Sequence, residues 1–173
     1  FRRKSFLQLE KYKCLLHNGK TIFREKILKN HKEGNAAIIL PITENGEYIL
    51  AIEPRVFTKD TVDIGFPAGY IEEDENPRRA AIRELEEETG YQPESLEFVG
   101  SYYPDQGCSG ACNYYYIARN CKKIGTQHLD EGEFIKYVLV TEEELEKIVN
   151  LGMIKGLNSA YLLERVKNRK EKR

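Results

Sequence analysis

The residues of this chain best suited to chemistry are the carboxylates of one short stretch. Eight Asp and Glu residues lie from Glu72 to Glu88, and Glu84, Glu87 and Glu88 stand at i, i+3 and i+4 of a segment patterned as a helix. Side chains at these spacings share a helix face, so their like charges repel one another. A divalent cation would remove this repulsion, because Mg²⁺ takes a few hard oxygen ligands and shares the rest of its coordination with substrate phosphates. The spacing therefore predicts a metal-binding face.

The alternative is an acidic helix face that contacts only solvent. A helix shaped by solubility alone would place Lys among the Glu residues at i, i+4 spacing, and positions 84, 87 and 88 carry none. A helical wheel assigns the other residues to two further sides. The predicted buried stripe consists of Ala81, Ile82, Leu85 and Thr89, and the predicted solvent-facing side of Arg79, Arg83 and Glu86.

Three helices and seven strands are predicted to position this face. Asn76 before Pro77 is a favoured N-cap and N1 pair, and Gly90 is a stop signal, so the acidic helix is predicted over 77–89. The other two helices are one opened by the Thr141–Glu144 capping box and one over 159–169. The predicted strands are 6–12 and 21–29 around an Asn-Gly turn, 35–42 and 47–53 around TENG, 96–103, 112–119 and 133–140.

This order of elements predicts an α/β (α+β) fold in which a mixed sheet carries helices on its faces. The chain has 173 residues, of which 40% are hydrophobic, enough for one domain over 1–173. Its net charge of −1 excludes the basic field that would recruit nucleic acid or a membrane surface. No apolar stretch approaches the ~20 residues of a transmembrane helix. The basic N-terminus leads into no apolar segment, so no signal peptide is predicted, and we expect a few residues upstream of Phe1.

Four cysteines, Cys14, Cys108, Cys112 and Cys121, are too sparse for a disulfide framework and favour a reducing cytoplasm. A zinc site could be imagined from the last three with His128. Their spacing fits none of the usual paired patterns, and free cysteine is commonly a small buried hydrophobic residue. No histidine fits a ligand spacing, so each is interpreted as a surface residue: His17, His31 and His128.

Residues 69–91 resemble the Nudix box, G-x5-E-x7-R-E-U-x-E-E-x-G-U, in which U is a bulky aliphatic residue. The final position departs, because Tyr91 replaces an aliphatic residue, and we expect this to affect packing more than chemistry. The matching residues are Gly69, Glu75, Arg83, Glu84, Leu85, Glu87, Glu88 and Gly90.

The resemblance implies a Nudix hydrolase, an α/β/α sandwich that cleaves a nucleoside diphosphate linked to another moiety with Mg²⁺, or with Mn²⁺ in its place. It implies that Glu84 and Glu88 are the main metal ligands and Glu87 a further one. The Ala68 carbonyl is implied to add a backbone ligand. Arg83 is implied to hold the carboxylates and, with Glu87, to belong to the catalytic set. Gly69 and Gly90 are implied to form tight turns.

The segments FPAGYIEE (66–73), IEPR (52–55) and LDEGEFIKYV (129–138) resemble parts of the ADP-ribose pyrophosphatase branch of this family. That likeness implies that Arg55 contacts substrate, in keeping with bidentate phosphate recognition by arginine; the alternative is a surface cation at a strand end. It also implies that Glu133 activates water, with Glu131 as the alternate, unless both are exposed loop acids. The extension 1–34 resembles the strands through which this branch forms intertwined homodimers, with Arg24 reaching a partner's substrate.

Two departures from the branch lie near the expected substrate. Gly65 and Ala111 stand where it commonly carries glutamate, and Pro104 is displaced in the loop 103–112. We therefore expect the same reaction as in the branch, whereas the distal sugar of the substrate is expected to be the feature that differs.

The predicted function is a Mg²⁺-dependent pyrophosphatase that cleaves ADP-ribose or a related nucleoside diphosphate sugar into a nucleoside monophosphate and a sugar phosphate. The alternatives are hydrolysis of another nucleotide, such as a dinucleoside polyphosphate or NADH, and a sensor that binds ADP-ribose without cleaving it. The intact Glu84, Glu87 and Glu88 argue against the sensor, since binding alone needs no complete carboxylate cluster.

Overall fold

A two-stranded hairpin and a mixed eight-stranded sheet with three helices form the fold. The structure is a computed structural model that describes residues 5–170. The strands are β1 (Leu7–Leu15), β2 (Thr21–Lys29), β3 (Ala36–Thr43), β4 (Tyr48–Pro54), β5 (Val62–Gly65), β6 (Ala68–Tyr70), β7 (Tyr91–Gln92), β8 (Ser95–Tyr102), β9 (Asn113–Lys123) and β10 (Lys136–Val140). The helices are α1 (Pro77–Thr89), α2 (Glu142–Asn150) and α3 (Leu157–Lys170).

The large sheet is mixed, as predicted. Its strands run in the order β10-β4-β3-β9-β7, with β5 beside β4, β6 beside β3 and β8 beside β9. The pair β3–β9 is parallel, and the other pairs are antiparallel. The three short strands β5, β6 and β7 were not predicted, because segments of two to four residues carry no periodicity that sequence patterns can detect.

Strand β3 lies at the centre of the core, and its two faces pack against different helices. Ile38 and Leu40 face one apolar cluster that includes α2 and α3, whereas Ala37 and Ile39 face a second cluster built on α1. A strand buried on both faces is expected to be apolar throughout, and the sequence AAIILPI fits that expectation. The predicted sandwich of helices around a mixed sheet is therefore confirmed.

Helix α1 begins and ends where its capping residues predict. The Asn76 side chain accepts a hydrogen bond of 2.9 Å from the Arg79 backbone N–H, and Pro77 occupies the first helical position. Gly90 adopts the left-handed conformation with φ of 72° and donates its N–H to the Glu86 carbonyl. These local signals agree with the observed helix bounds.

Several element boundaries differ from prediction. Strand β1 ends at Leu15 rather than at residue 12, and β9 ends at Lys123 rather than at residue 119. Helix α3 begins at Leu157, two residues before the predicted start. The last strand was predicted over 133–140 but begins at Lys136, so Glu133 lies in the preceding loop rather than on the strand. Apolar alternation marks which face a residue takes, but it does not show where backbone pairing begins.

The N-terminal hairpin presents an apolar face to solvent. The antiparallel register places Leu7, Leu9, Leu15 and Phe23 on the same face, and Leu15 and Phe23 are 76% and 72% exposed. The hairpin joins the rest of the chain through contacts that include a hydrogen bond of 2.8 Å from the Ile27 N–H to the Cys108 carbonyl. Within the described residues, no helix has the length and apolar character of a membrane span.

Candidate active site

A cleft of about 1350 Å³ opens beside α1 and brings together most of the predicted site residues. Its walls come from the ends of β4 and β6, one side of α1 and the loop before β10. Among the residues lining the cleft, neither Glu131 nor Arg24 appears; Arg24 donates to its neighbour's carbonyl on the exposed hairpin. The predicted residues that do line it are Arg55, Ala68, Arg83, Glu84, Glu87, Glu88 and Glu133.

Arg83 holds three carboxylates of the box in one network. Its Nη1 donates to Glu84 at 2.8 Å and to Glu87 at 2.9 Å, and its Nε and Nη2 donate to Glu75 at 3.0 and 2.8 Å. The prediction that Arg83 faces solvent is wrong, because its long side chain bends back along the helix surface and is 25% exposed. The hydrogen bond with Glu75 raises the pKa of Arg83, and the same contact lowers the pKa of Glu75.

Glu84 and Glu88 are buried, whereas the helical wheel placed them on a face separate from the core. They are 8% and 5% exposed, and Glu88 Oε2 has no hydrogen-bond partner among the described residues. Burial raises the pKa of Glu84 to about 7, against the opposing effect of Arg83. Burial, followed by the charges of Glu84 and Glu53, raises the pKa of Glu88 well above its ordinary value. Two carboxylates are thus held where their charged forms are unfavourable.

This destabilised pair fits a divalent cation. A cation would compensate the buried negative charge and would give the unpaired oxygen of Glu88 a partner. Within residues 5–170, no three His, Cys, Asp or Glu side chains already form a group that could hold a metal ion. Mg²⁺ needs one or two carboxylates from the protein and completes its coordination shell with water and phosphate. A site with few protein ligands therefore suits it better than one in which protein side chains fill every coordination position.

Gly69 is required for a reason other than the predicted tight turn. It lies in β6, opposite Ala37 of β3, and is not among the left-handed residues. A Cβ atom at this position would overlap the Glu84 carboxylate. The absence of a side chain at Gly69 therefore makes room for Glu84, while the turn argument holds for Gly90 alone.

The C-terminal turn of α1 is tied to the segment before β10 by residues that sequence reasoning missed. Gln127 Nε2 donates to the carbonyls of Glu88 at 2.6 Å and Ile135 at 3.1 Å. His128, interpreted as a surface residue, is exposed but borders the cleft, and its N–H donates to the Glu87 carbonyl at 2.8 Å. The last four carbonyls of a helix need outside donors, but no local pattern identifies donors so far along the chain.

Tyr91, the one departure from the box, is explained by its neighbours. Its ring makes an edge contact with Tyr137 at 5.9 Å, and Lys123 Nζ lies 5.0 and 4.6 Å from the two ring centroids. The same ammonium group donates to the Thr89 carbonyl at 2.6 Å. Because α1 has no basic residue in its last turn, Lys123 supplies the cation that stabilises a helix C-terminus.

Glu133 and Arg55 border the cleft from the two loops opposite α1. Glu133 accepts the Asp130 N–H at 3.1 Å, and its own N–H donates to the Asp130 carbonyl at 3.0 Å, which orders this exposed loop. Its charge contributes to the raised pKa values of Glu84 and Glu88. Arg55 forms an ion pair with Glu53, whose pKa is raised chiefly by burial.

The cysteines, considered above as an alternative zinc site, differ in burial. All four thiols are free, and the described residues contain no group of three or more ligands that could hold a metal ion. Cys108 Sγ donates to Asp105 at 2.9 Å. Burial raises the pKa of the Cys121 thiol to about 11, so this residue is a buried, protonated core side chain.

Replacing Glu88 by Gln is expected to stabilise the metal-free protein at about pH 8, by about 1–3 kcal/mol. A carboxyl group whose pKa is raised by folding opposes the folded state above its unfolded pKa, and protonation relieves this as the pH falls. The gain in thermal midpoint should therefore shrink as the pH is lowered toward about 5. Thermal unfolding in the presence of a chelator measures this gain in midpoint. The matched control is Glu131→Gln, because Glu131 is exposed. A lower midpoint for Glu88→Gln at pH 8 contradicts the interpretation.

Comparison with known proteins agrees with this geometry. The family model of the NUDIX domain matches residues 32–158. An ADP-ribose pyrophosphatase of Bacillus subtilis (strain 168) is 31% identical over 150 residues, covering 86% of this chain and 78% of that protein. A methanol dehydrogenase activator of Bacillus methanolicus is 34% identical over 131 residues, covering 75% of this chain and 68% of that protein.

The fold itself is shared with a solved structure. The crystal structure of an ADP compounds hydrolase superposes with a TM-score of 0.81 and 21% sequence identity. The match covers 99% of this chain and 90% of the chain in that structure. The box residues gather around one cleft, and the family match spans most of the sheet and α1. The chain therefore belongs to the Nudix family, in its ADP-ribose pyrophosphatase branch, and is a hydrolase that acts on pyrophosphate bonds.

Proposed function

We propose that this protein hydrolyses the diphosphate bond of ADP-ribose or a related nucleoside diphosphate sugar, with Mg²⁺ or Mn²⁺, to a nucleoside monophosphate and a sugar phosphate. The observation that carries the proposal is the meeting of Glu84, Glu87 and Glu88 with Arg55 and Glu133 around one cleft. The name of the Bacillus subtilis relative supports the choice of substrate.

The α1 carboxylates and the backbone of β6 form the proposed metal site. Glu84 and Glu88 would be the main ligands, with Glu87 and the Ala68 carbonyl as further ligands. Held by these residues, divalent cations would supply positive charge against the diphosphate and would make water a better nucleophile. Arg83 keeps Glu84 and Glu87 in place through hydrogen bonds of 2.8 and 2.9 Å.

The remaining residues bind substrate and move the proton. Arg55 would exchange its pairing with Glu53 for a substrate phosphate, which a guanidinium binds through two parallel hydrogen bonds. Glu133 would accept the proton of the water whose oxygen attacks phosphorus. As that P–O bond forms, the bridging P–O bond breaks and its electron pair leaves on the departing phosphate. Gln127 joins the backbone of Glu88 to that of Ile135, two residues after Glu133.

A second candidate is hydrolysis of another nucleoside diphosphate derivative, such as a dinucleotide. The relative from Bacillus methanolicus has comparable identity, and its name refers to methanol dehydrogenase rather than to a sugar nucleotide. A binding-only sensor is disfavoured, because a carboxylate buried without a partner is costly and serves no purpose in a site that never holds metal. The free thiols also lead us to propose a reducing cytoplasmic location.

Phosphate release across a substrate panel tests the proposal. With Mg²⁺ and a coupled phosphatase, ADP-ribose and related sugar nucleotides are expected to be cleaved faster than dinucleoside polyphosphates, NADH and nucleoside triphosphates. Glu88→Gln should lose most turnover while remaining folded, because the amide keeps the shape of the side chain but removes the charge. Faster cleavage of a dinucleotide would favour the second candidate, and near-wild-type turnover of Glu88→Gln at saturating Mg²⁺ would remove Glu88 from the ligand set.

Glu133→Gln is expected to lower kcat by ~10²–10⁴-fold, the usual contribution of general-base assistance. Mg²⁺ affinity should be retained, because Glu133 is not among the proposed ligands. The matched control is Glu131→Gln, two residues away in the same loop but outside the cleft lining, which should have a smaller effect. A large loss at Glu131 with little at Glu133 reverses the assignment, and two near-wild-type variants would show that no loop carboxylate takes the proton.

We also propose that the protein is a homodimer joined through the extension 1–34, with Arg24 directed at the partner's substrate. The exposed apolar face that includes Leu15 and Phe23 needs a covering surface. Phe23→Glu is expected to convert a dimer to a monomer in light scattering, since it would bury an unpaired charge. Phe57→Glu, at a fully exposed phenylalanine outside the hairpin, is the control. A monomeric wild-type protein refutes the proposal.

A further inference from the structure

Two asparagines outside the catalytic set line the same cleft and bond to each other. Asn113 is the first residue of β9 and is 6% exposed, and Asn158 lies in the first turn of α3. Asn113 Nδ2 donates to Asn158 Oδ1 at 3.1 Å, and the Tyr115 hydroxyl donates to the same oxygen at 2.7 Å. Two donors on one atom identify it as the amide oxygen, so the other end of Asn158 is its NH₂ group.

The Asn158 amide nitrogen is left available to a ligand. Within the described part of the chain, Asn158 Nδ2 donates a hydrogen bond to no protein atom, although it could donate two. Asn158 borders the cleft. A protein donor that is oriented by two hydrogen bonds yet lacks an acceptor of its own is an arrangement typical of ligand recognition.

Rigid neighbours hold this amide in place. Tyr115 packs edge-on against Tyr102 at 5.8 Å and Tyr161 at 5.0 Å. The next residue of α3, Ser159, is buried and accepts the Phe66 N–H on its hydroxyl at 2.9 Å. A Cβ atom at Gly65 would lie 2.7 Å from the Ser159 hydroxyl, so a glycine there lets the start of α3 approach β5 this closely.

The strand register sets the distance between this amide and the proposed metal site. Strand β3 lies between β6 and β9, with Ile38 opposite Ala68 and Ala36 opposite Asn113. Neighbouring strands are ~4.8 Å apart, so Asn113 lies two strands, or ~10 Å, from the strand of Ala68. By the same register, Asn113 lies on the side of the sheet that carries α3, whereas α1 covers the other side. The cleft borders residues of both sides, including Asn158 and the α1 carboxylates, so it has room for an attached sugar beside Asn158 when the diphosphate is bound at those carboxylates.

The chemistry of the subsite selects a neutral, hydroxyl-bearing group. Neither asparagine is charged, and no ionic group takes part in their network, which disfavours a phosphate. An asparagine amide can also pair with the edge of a nucleobase, but a bound base is commonly stacked on an aromatic face as well. The Tyr115 ring beside Asn158 is buried, whereas Phe6 and Tyr70 offer exposed aromatic surface elsewhere in the cleft. Sugar hydroxyls are suitable acceptors for an amide N–H.

We propose that Asn158, oriented by Asn113 and Tyr115, donates a hydrogen bond to a hydroxyl of the distal sugar and so selects sugar nucleotides over other nucleoside diphosphate esters. The proposal rests on the proposed function, since it places the diphosphate at the α1 carboxylates. It assigns Asn158 to substrate specificity and not to the chemical step.

The test compares ADP-ribose with the β-methyl ester of ADP, which keeps the scissile diphosphate but carries no sugar. Asn158→Ala should raise KM for ADP-ribose about 10-fold, the value of one good hydrogen bond, with kcat nearly unchanged. The kinetic constants for the methyl ester should not change. Asn168→Ala, on the exposed side of the same helix, should leave both substrates unaffected. Equal losses for both substrates, or no loss for ADP-ribose, overturn the proposal.

A binding measurement separates this inference from the proposed reaction. Calorimetry with Mg²⁺ in a Glu133→Gln background, which slows turnover but keeps every proposed metal ligand, compares the affinities for ADP-ribose and the methyl ester. The Asn158→Ala change should weaken only ADP-ribose binding. If the wild-type protein cleaves no sugar nucleotide but this selective loss persists, the proposed reaction fails and the subsite stands. If the Glu133→Gln protein binds the two ligands equally, the subsite is refuted.

Discussion

The burial of negative charge on α1 is the constraint on which the rest of the site depends. Glu84 and Glu88 lie in the contact between helix and sheet, where their charged forms are unfavourable. Arg83 compensates Glu84 but leaves one oxygen of Glu88 without a partner. The apolar residues beside them, including Leu85, keep α1 packed against β3 despite this repulsion. The metal-free protein thus keeps an unfavourable arrangement that a cation can relieve.

Both ends of α1 are secured in ways that hold the carboxylates in place. Asn76 caps the N-terminus, and the C-terminal carbonyls receive donors from Lys123, Gln127 and His128. The segment that supplies these donors continues into the loop of Glu133. A shift of the helix end would therefore move the proposed metal ligands and the proposed base together. The same hydrogen bonds that complete the helix also couple the two halves of the site.

The cleft divides by chemistry along its length. The carboxylates and Arg83 suit cations and phosphate near the middle, whereas Asn113 and Asn158 present uncharged amide groups where α3 begins. Phe6 and Tyr70, with ring centroids 6.2 Å apart, also line the cleft and offer partly exposed aromatic surface near the hairpin. A substrate with a base, a diphosphate and a sugar would meet a different surface at each part.

The sequence by itself determined the acidic helix, its caps, the spacing of its carboxylates and the family to which they belong. These features depend on residues within a few positions of one another, so helical geometry and capping chemistry suffice to predict them. Only the tertiary structure decided that Arg83 folds back onto the carboxylates, that Gly69 makes room for Glu84, and that Glu133 precedes its strand. It alone brought Gln127 to Glu88 across 39 positions and Asn158 to Asn113 across 45. Such contacts depend on how strands and helices pack, and the local pattern of a sequence does not carry that information.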